Sequence, residues 1–165
     1  MYIRALEEDD LLDIHKLNNR LHIMAYWFEE PYESLSELKS LYLKHIYDES
    51  ERRFVIIENK SFAGVIELVE INYIHRNCEI QVIIKEDYQG KGLAQKAMEQ
   101  GINYAFQILN LHKIYLYVDI ENKGAIHIYQ KLGFQIEGTM IEQFYMKGEY
   151  RDSYFMGLLK RNWNQ

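Results

Sequence analysis

Gln89-Gly90-Lys91-Gly92-Leu93-Ala94 separates two stretches of different period. Before it, Glu79-Ile80-Gln81-Val82-Ile83-Ile84 opens with polar and branched side chains in alternation, the mark of a strand, with Glu79 and Gln81 on one face. After it, Leu93 to about Ile108 reads as a helix. Two glycines let backbone approach a ligand closely. The free N–H groups of the helix's first turn, with the helix dipole, suit a pyrophosphate, and Lys91 could add charge. A plain glycine turn ahead of a helix is the competing reading. The stretch lacks the glycine spacing and Lys-Ser/Thr ending of a P-loop. Gln95 stands where the dinucleotide fingerprint needs a third glycine.

Working towards the N-terminus, Val65–Ile71 and Phe54–Ile57 are two more β-branched runs. Asn59-Lys60 and Asn72–Asn77 supply the turns, so the three strands predict an antiparallel meander. Before them, Tyr2–Leu6 reads as a short strand. Asp9 or Asp10 caps a helix with Leu11, Leu12, Ile14 and Leu17 inward. Pro31 suits the first position of a second helix, whose buried stripe is Leu35, Leu38, Leu41, Tyr42, His45 and Ile46. Glu33 and Glu37 share another face of it. Towards the C-terminus, His112–Asp119 is a strand with Ile114, Leu116 and Val118 on one face. Asn122–Leu132 is a helix stopped by Gly133, and late strands fall at Phe134–Gln143 and Tyr154–Leu159.

The chain has 165 residues, which predicts one domain over 1–165 with room for a real core. Its 48% hydrophobic and 27% charged content is that of a globular protein, and one proline excludes collagen-like and Pro-rich architectures. The single cysteine, Cys78, excludes an internal disulfide framework and a cysteine-built zinc site. No apolar run reaches the length of a membrane span and no signal-peptide pattern opens the chain, so a soluble cytoplasmic protein is expected. A formal net charge of -6 disfavours nucleic acid as a partner. The six histidines show no metal spacing.

That charge is concentrated. Glu29, Glu30, Glu33, Glu37, Asp48, Glu49 and Glu51 are opposed only by Lys39 and Lys44 in their segment. The bland reading is a solvated helix face. The interleaved Tyr26, Trp27, Phe28 and Tyr32 favour a binding role, because aromatic faces beside carboxylates suit an ammonium on an alkyl chain.

A second motif, Asn122-Lys123-Gly124-Ala125-Ile126-His127-Ile128-Tyr129-Gln130-Lys131-Leu132-Gly133-Phe134, follows the first. Together they resemble the GCN5-related N-acetyltransferases. Gln89, Gly92 and Ala94 match that family's acetyl-CoA loop; Asn122, Ala125, Tyr129, Gly133 and Phe134 match its later helix. Met24–Ser34, Glu51–Phe54, Glu67–Arg76 and Ile108–Leu116 narrow the resemblance to the bacterial spermidine N-acetyltransferases over nearly the whole chain.

The resemblance implies an α/β (α+β) fold: a mixed, mostly antiparallel sheet flanked by helices, with splayed central strands. It implies transfer of an acetyl group from acetyl-CoA to a primary amine of spermidine or spermine by direct attack, without an enzyme nucleophile. Tyr129 would assist the leaving thiolate, and Glu70 or Glu79 would take the amine proton through water. Val82, Ile83 and Ile84 would pair with pantetheine. Gln89, Gly90, Lys91, Gly92, Leu93, Ala94 and Gln95 would hold pyrophosphate, and Asn122, Ala125, Tyr129 and Lys131 would complete the cofactor site. Glu79, Ile80 and Gln81 would meet the polyamine. A second polyamine site, regulatory and at a subunit interface, would use Met24, Glu29, Glu30, Pro31, Tyr32 and Glu37, with His45, Ile46, Tyr47, Asp48 and Glu51 from a neighbour. A dodecamer, and magnesium between Glu29 and Glu70, are further implications. The rival readings are an acetyltransferase for another amine, such as a ribosomal protein N-terminus, and a non-catalytic polyamine or acyl-CoA sensor.

Overall fold

A computed structural model describes residues 1–20, 33–146 and 148–163. Among them, seven strands form one sheet in the order β1-β2-β3-β4-β5-β7-β6. The strands are β1 (Tyr2–Ala5), β2 (Arg52–Glu58), β3 (Ser61–Asn72), β4 (Asn77–Ile84), β5 (Lys113–Asp119), β6 (Gln135–Met146) and β7 (Glu149–Leu159). The described helices are α1 (Leu11–Asn18), α2 (Leu35–His45), α3 (Leu93–Asn103) and α4 (Lys123–Lys131). β1 to β4 are paired antiparallel, as are β5–β7 and β7–β6. Only β4 and β5 run parallel, so a crossover must join them, and α3 supplies it.

The β4–β5 pairing is short. It runs through Asn77↔Lys113, Cys78↔Ile114 and Glu79↔Tyr115 and then stops, although both strands continue. Val82–Ile84 is therefore splayed from β5, as expected. The larger core lies on the face covered by α3 and α4. Leu68, Ile80, Met98, Ile102, Phe106, Ile114, Leu116, Phe134 and Met156 are buried there. On the opposite face α1 and α2 cover only the β2–β4 end, with Leu11, Ile14, Leu17, Leu38, Val55, Ile57, Val65 and Ile83. Glu79, Tyr115 and Tyr117 stand further along that face.

Several local expectations change. Asp10 occupies the N-cap position of α1, but its carboxylate makes no cap bond there; it accepts from the Glu7 N–H at 2.9 Å and from Arg4 at 2.7 and 2.8 Å. Pro31 lies outside the described residues. α2 starts at Leu35 because Ser34 caps it, with Glu37 closing the reciprocal capping box. Of its expected stripe only Leu38 is buried; Leu41 and Ile46 are exposed, so the helix rests on the sheet along a narrow seam. The third helix ends as a π-turn over Tyr104–Ile108, closed by the Leu109 N–H on the Tyr104 carbonyl at 3.1 Å. The last two strands are longer than their apolar pattern predicts. Bulges between Ile136 and Gly138 and between Met140 and Phe144 break the alternation while the hairpin continues.

Candidate active site

Because β4 and β5 are parallel, the helices that follow them both begin at the sheet end where the strands part. Gly92 is the N-cap of α3, with φ 73°, and Gly90 has φ 72°, both in the left-handed region that glycine tolerates. A Cβ built at either position meets no atom within 4 Å, so the loop borders open space. The Gln89 side chain donates to the Ile84 carbonyl at 2.9 Å and ties this loop to the end of β4. At the start of α4, Asn122 Oδ1 accepts from the Ala125 N–H at 3.2 Å. Two helix N-termini thus face one gap, an arrangement suited to anions.

The gap is a cavity of about 640 Å³. Val82, Ile83, Ile84, Gln89, Gly90, Gly92, Leu93, Ala94, Asn122, Ala125 and Tyr129 all line it. Three residues given to the cofactor do not. Lys91 instead donates to the Asp87 carbonyl at 2.7 Å, Gln95 donates to Glu99 at 2.9 Å, and Lys131 is an exposed residue of the last turn of α4. Tyr88, Tyr117, Val118, Asp119 and Ile128 complete the lining and were not anticipated. The helix-start N–H groups suit a pyrophosphate, and the edge of β4 that leaves β5 at Val82–Ile84 suits pairing with the pantetheine amides.

Tyr129 packs against Phe134, with ring centroids 6.0 Å apart, and burial pushes its phenol up to about 12. Cys78 is buried within the sheet, and burial, then the Glu79 charge, pushes its thiol up to about 12 as well. It is inert as a nucleophile.

On the sheet face opposite the larger core stand the two carboxylates. Glu79 is half-buried and accepts from the Gln81 side chain at 2.8 Å. Burial raises its pKa, the Gln81 hydrogen bond works against this, and the charge of Glu70 raises it further. Glu70 is exposed and accepts from the Tyr115 hydroxyl at 3.0 Å. Ile80 is not part of this group: it is buried in the larger core, because neighbours on a strand face opposite ways. Tyr115, Tyr117 and Phe155 form an aromatic wall beside the carboxylates, with Tyr115–Phe155 and Tyr117–Phe155 centroids both 5.3 Å apart. The alternation that placed Ile114, Leu116 and Val118 inward already put Tyr115 and Tyr117 on this face.

A second cavity, about 480 Å³, is lined by His45, Ile46, Tyr47, Asp48 and Glu51, together with Tyr42, Glu49, Arg52 and Arg53. Arg53 bonds Glu51 at 2.9 Å and the buried Glu67 at 2.8 Å. Burial, then Arg53, lowers the pKa of His45, which lies 3.6 Å from Glu51. Glu37 sits apart on the exposed start of α2. Met24, Glu29, Glu30, Pro31 and Tyr32 lie outside the described residues, so the magnesium expectation at Glu29 and Glu70 does too. Among the described residues no three His, Cys, Asp or Glu side chains are grouped to hold a metal. No described helix is long and apolar enough to cross a membrane.

A mixed sheet whose parallel pair opens into an anion-binding gap between two helix starts defines an acyl-coenzyme A site, and the chain belongs to the acetyltransferase (GNAT) domain family, which matches residues 1–135. It is 52% identical over 159 residues to the spermidine N(1)-acetyltransferase of Vibrio cholerae, covering 96% of this chain and 92% of that one. To the spermidine N(1)-acetyltransferase of Escherichia coli K12 it is 50% identical over 161 residues, covering 98% and 87%. The crystal structure of the Vibrio cholerae spermidine N-acetyltransferase in complex with CoA and spermine superposes with a TM-score of 0.95 at 51% identity, covering 98% of this chain and 96% of that one.

Proposed function

We propose that this chain transfers the acetyl group of acetyl-CoA to a primary amine of spermidine or spermine. One observation carries the reading. The splay between β4 and β5 opens, at Glu79 and Tyr115, between a cavity walled by two helix starts and an aromatic face that carries two carboxylates. Identity of about half across nearly the full length of two spermidine acetyltransferases supports the same substrate class.

Acetyl-CoA supplies the activated acyl thioester. The chain's own residues bind, orient and move protons. The helix starts at Gly92 and Asn122 would hold the anionic and amide parts, and the exposed backbone of Val82–Ile84 would orient the acyl end and polarise its carbonyl. A polyamine arrives protonated. Freeing an amine with a lysine-like pKa costs about 4–5 kcal/mol at pH 7. Glu79 and Gln81 would hold the ammonium in the half-buried site, and Glu79 would take its proton through water. Its raised pKa makes it a better base than an ordinary carboxylate. Tyr129 would stabilise the departing sulfur. With the phenol at about 12 and a thiol near 8.5, full proton transfer is uphill by about 5 kcal/mol, so a hydrogen bond to developing charge is its role.

The second cavity is our candidate regulatory polyamine site, shared between subunits in an oligomer as large as a dodecamer. Its lining sets the carboxylates of Asp48, Glu49 and Glu51 against Arg52 and Arg53, and that small acidic excess supports a cationic ligand. Residues 1–165 are read as one catalytic unit, since both cores share a single sheet. A cytoplasmic setting follows from its use of acetyl-CoA.

The test is thiol release from acetyl-CoA with spermidine, spermine and a peptide N-terminus as acceptors. Polyamine-dependent release with little from the peptide supports the reading. Release with the peptide alone overturns it in favour of protein acetylation.

A further inference from the structure

We infer that Tyr115 is a positioning residue that, with a bulge in β3, aims Glu70 at the distal ammonium of the acceptor and so selects polyamines over monoamines. The inference deepens the acetyltransferase reading and rests on it.

Strict alternation along β3 would bury Glu70. Leu68 pairs with Ile80 in the larger core and Val69 pairs with Glu79 on the open face, so the next residue belongs in the core. The register instead breaks between Val69 and Asn72. Glu70 takes a left-handed φ of 52°, and Ile71 fills the core position in its place. A one-residue insertion thus throws a carboxylate onto the face it would otherwise miss. A left-handed backbone at a residue other than glycine persists where surrounding structure demands it, and such positions cluster at binding sites.

Tyr115 meets Glu70 there. Its hydroxyl donates to Glu70 Oε2 at 3.0 Å, leaving Oε1 for another donor. The ring is fixed by Phe155 at 5.3 Å and Tyr117 at 6.1 Å, so the hydroxyl is aimed rather than free to wander. Tyr115 is also the register partner of Glu79, in the last pair before the strands separate. One side chain therefore spans both carboxylates. Glu79 is half-buried beside the splay, and Glu70 is exposed further out. An acceptor whose reacting amine lies at Glu79 reaches Glu70 only with a second ammonium.

The experiment compares wild type, Tyr115→Phe, Glu70→Gln and the double variant, with spermidine and n-butylamine as acceptors. Removing the hydroxyl while keeping the ring should raise the spermidine KM about tenfold, the size of one charge-assisted hydrogen bond. The KM for acetyl-CoA should stay within twofold, and the spermidine kcat/KM should fall about tenfold relative to that of butylamine, a ratio in which any change at Glu79 common to both amines cancels. Glu70→Gln should reproduce the effect, and the double variant should be no worse than Glu70→Gln alone, because both remove one interaction. An unchanged spermidine KM, or an equal loss with both amines, overturns the inference. Glu70 is exposed, so Glu70→Gln decides the question if the phenylalanine variant does not accumulate. A wild type that releases no thiol with spermidine overturns the acetyltransferase reading itself, a result no variant is needed to recognise.

Discussion

The Gln81 side-chain amide donates to Glu79 Oε1 at 2.8 Å, two residues along the same strand and on the same face. Gln81 therefore fixes a carboxylate whose pKa is raised by burial and by the charge of Glu70. An acid with a raised pKa stays protonated to higher pH, so the acid limb set by Glu79 lies higher than an unperturbed glutamate would put it. Below pH 7 the spermidine kcat/KM should stay flat while Glu79 is ionised, because the ammonium form binds and Glu79 takes its proton, and should fall with unit slope once Glu79 is protonated. Glu70→Gln removes the like charge, lowers the Glu79 pKa and should move that break to lower pH. Steady-state pH profiles of the two proteins check the direction.

Tyr129→Phe keeps the ring on Phe134 and removes only the hydroxyl. Turnover should drop by about a hundredfold, the lower range for a lost proton or hydrogen-bond donor, with both KM values near wild type. With the wild-type phenol at about 12, the alkaline side of the profile should show no loss from its ionisation up to pH 10. An unchanged turnover would remove Tyr129 from the leaving-group step.

Gly92→Ala places a methyl group where no atom lies within 4 Å, so its folded-state cost is the left-handed backbone alone, about 1–2 kcal/mol. Its effect on the cofactor should exceed that. The acetyl-CoA KM should rise at least tenfold, with spermidine KM unchanged, because the added Cβ occupies the cradle. Thermal denaturation and two-substrate kinetics separate the two effects.

Asn122 both caps α4 and lines the cavity. Asn122→Ala should cost about 1 kcal/mol of stability, while Asn122→Ser restores the cap and its stability. If the residue also holds the cofactor amide, Asn122→Ser should keep a raised acetyl-CoA KM despite restored stability.

Glu33→Ala and Glu37→Ala test the regulatory site. Spermine saturation should be sigmoidal in wild type and become more nearly hyperbolic in the variants. Glu37 takes part in the α2 capping box, so Glu37→Gln, which retains that reach, is the control.

The local signals that reached the site were those with a fixed backbone cause. Glycines at positive φ marked the α3 start, the asparagine cap marked α4, and period-two alternation aligned Glu79 with Gln81. The splay itself followed from family resemblance, since no local residue preference encodes where two strands stop pairing. Alternation alone misplaces other residues. Ile80 adjoins Glu79 and Gln81 in sequence, but its side chain points the other way, into the core. The bulge that turns Glu70 has no local sequence mark. Helical spacing shows which α2 side chains share a face, not how much sheet lies beneath them. Charge and motif proximity point to Lys91 and Lys131, whose side chains lie outside the cavity lining because loop and helix-end geometry place them.

The central claim is that the gap between β4 and β5 seats the thioester beside Tyr129. A crystal structure with bound coenzyme A measures this directly. The account predicts the sulfur between the splayed strands, within hydrogen-bonding reach of the Tyr129 hydroxyl, with pyrophosphate at the Gly90–Gly92 backbone. A sulfur lodged outside that gap, or a phenol turned away from it, would contradict the account.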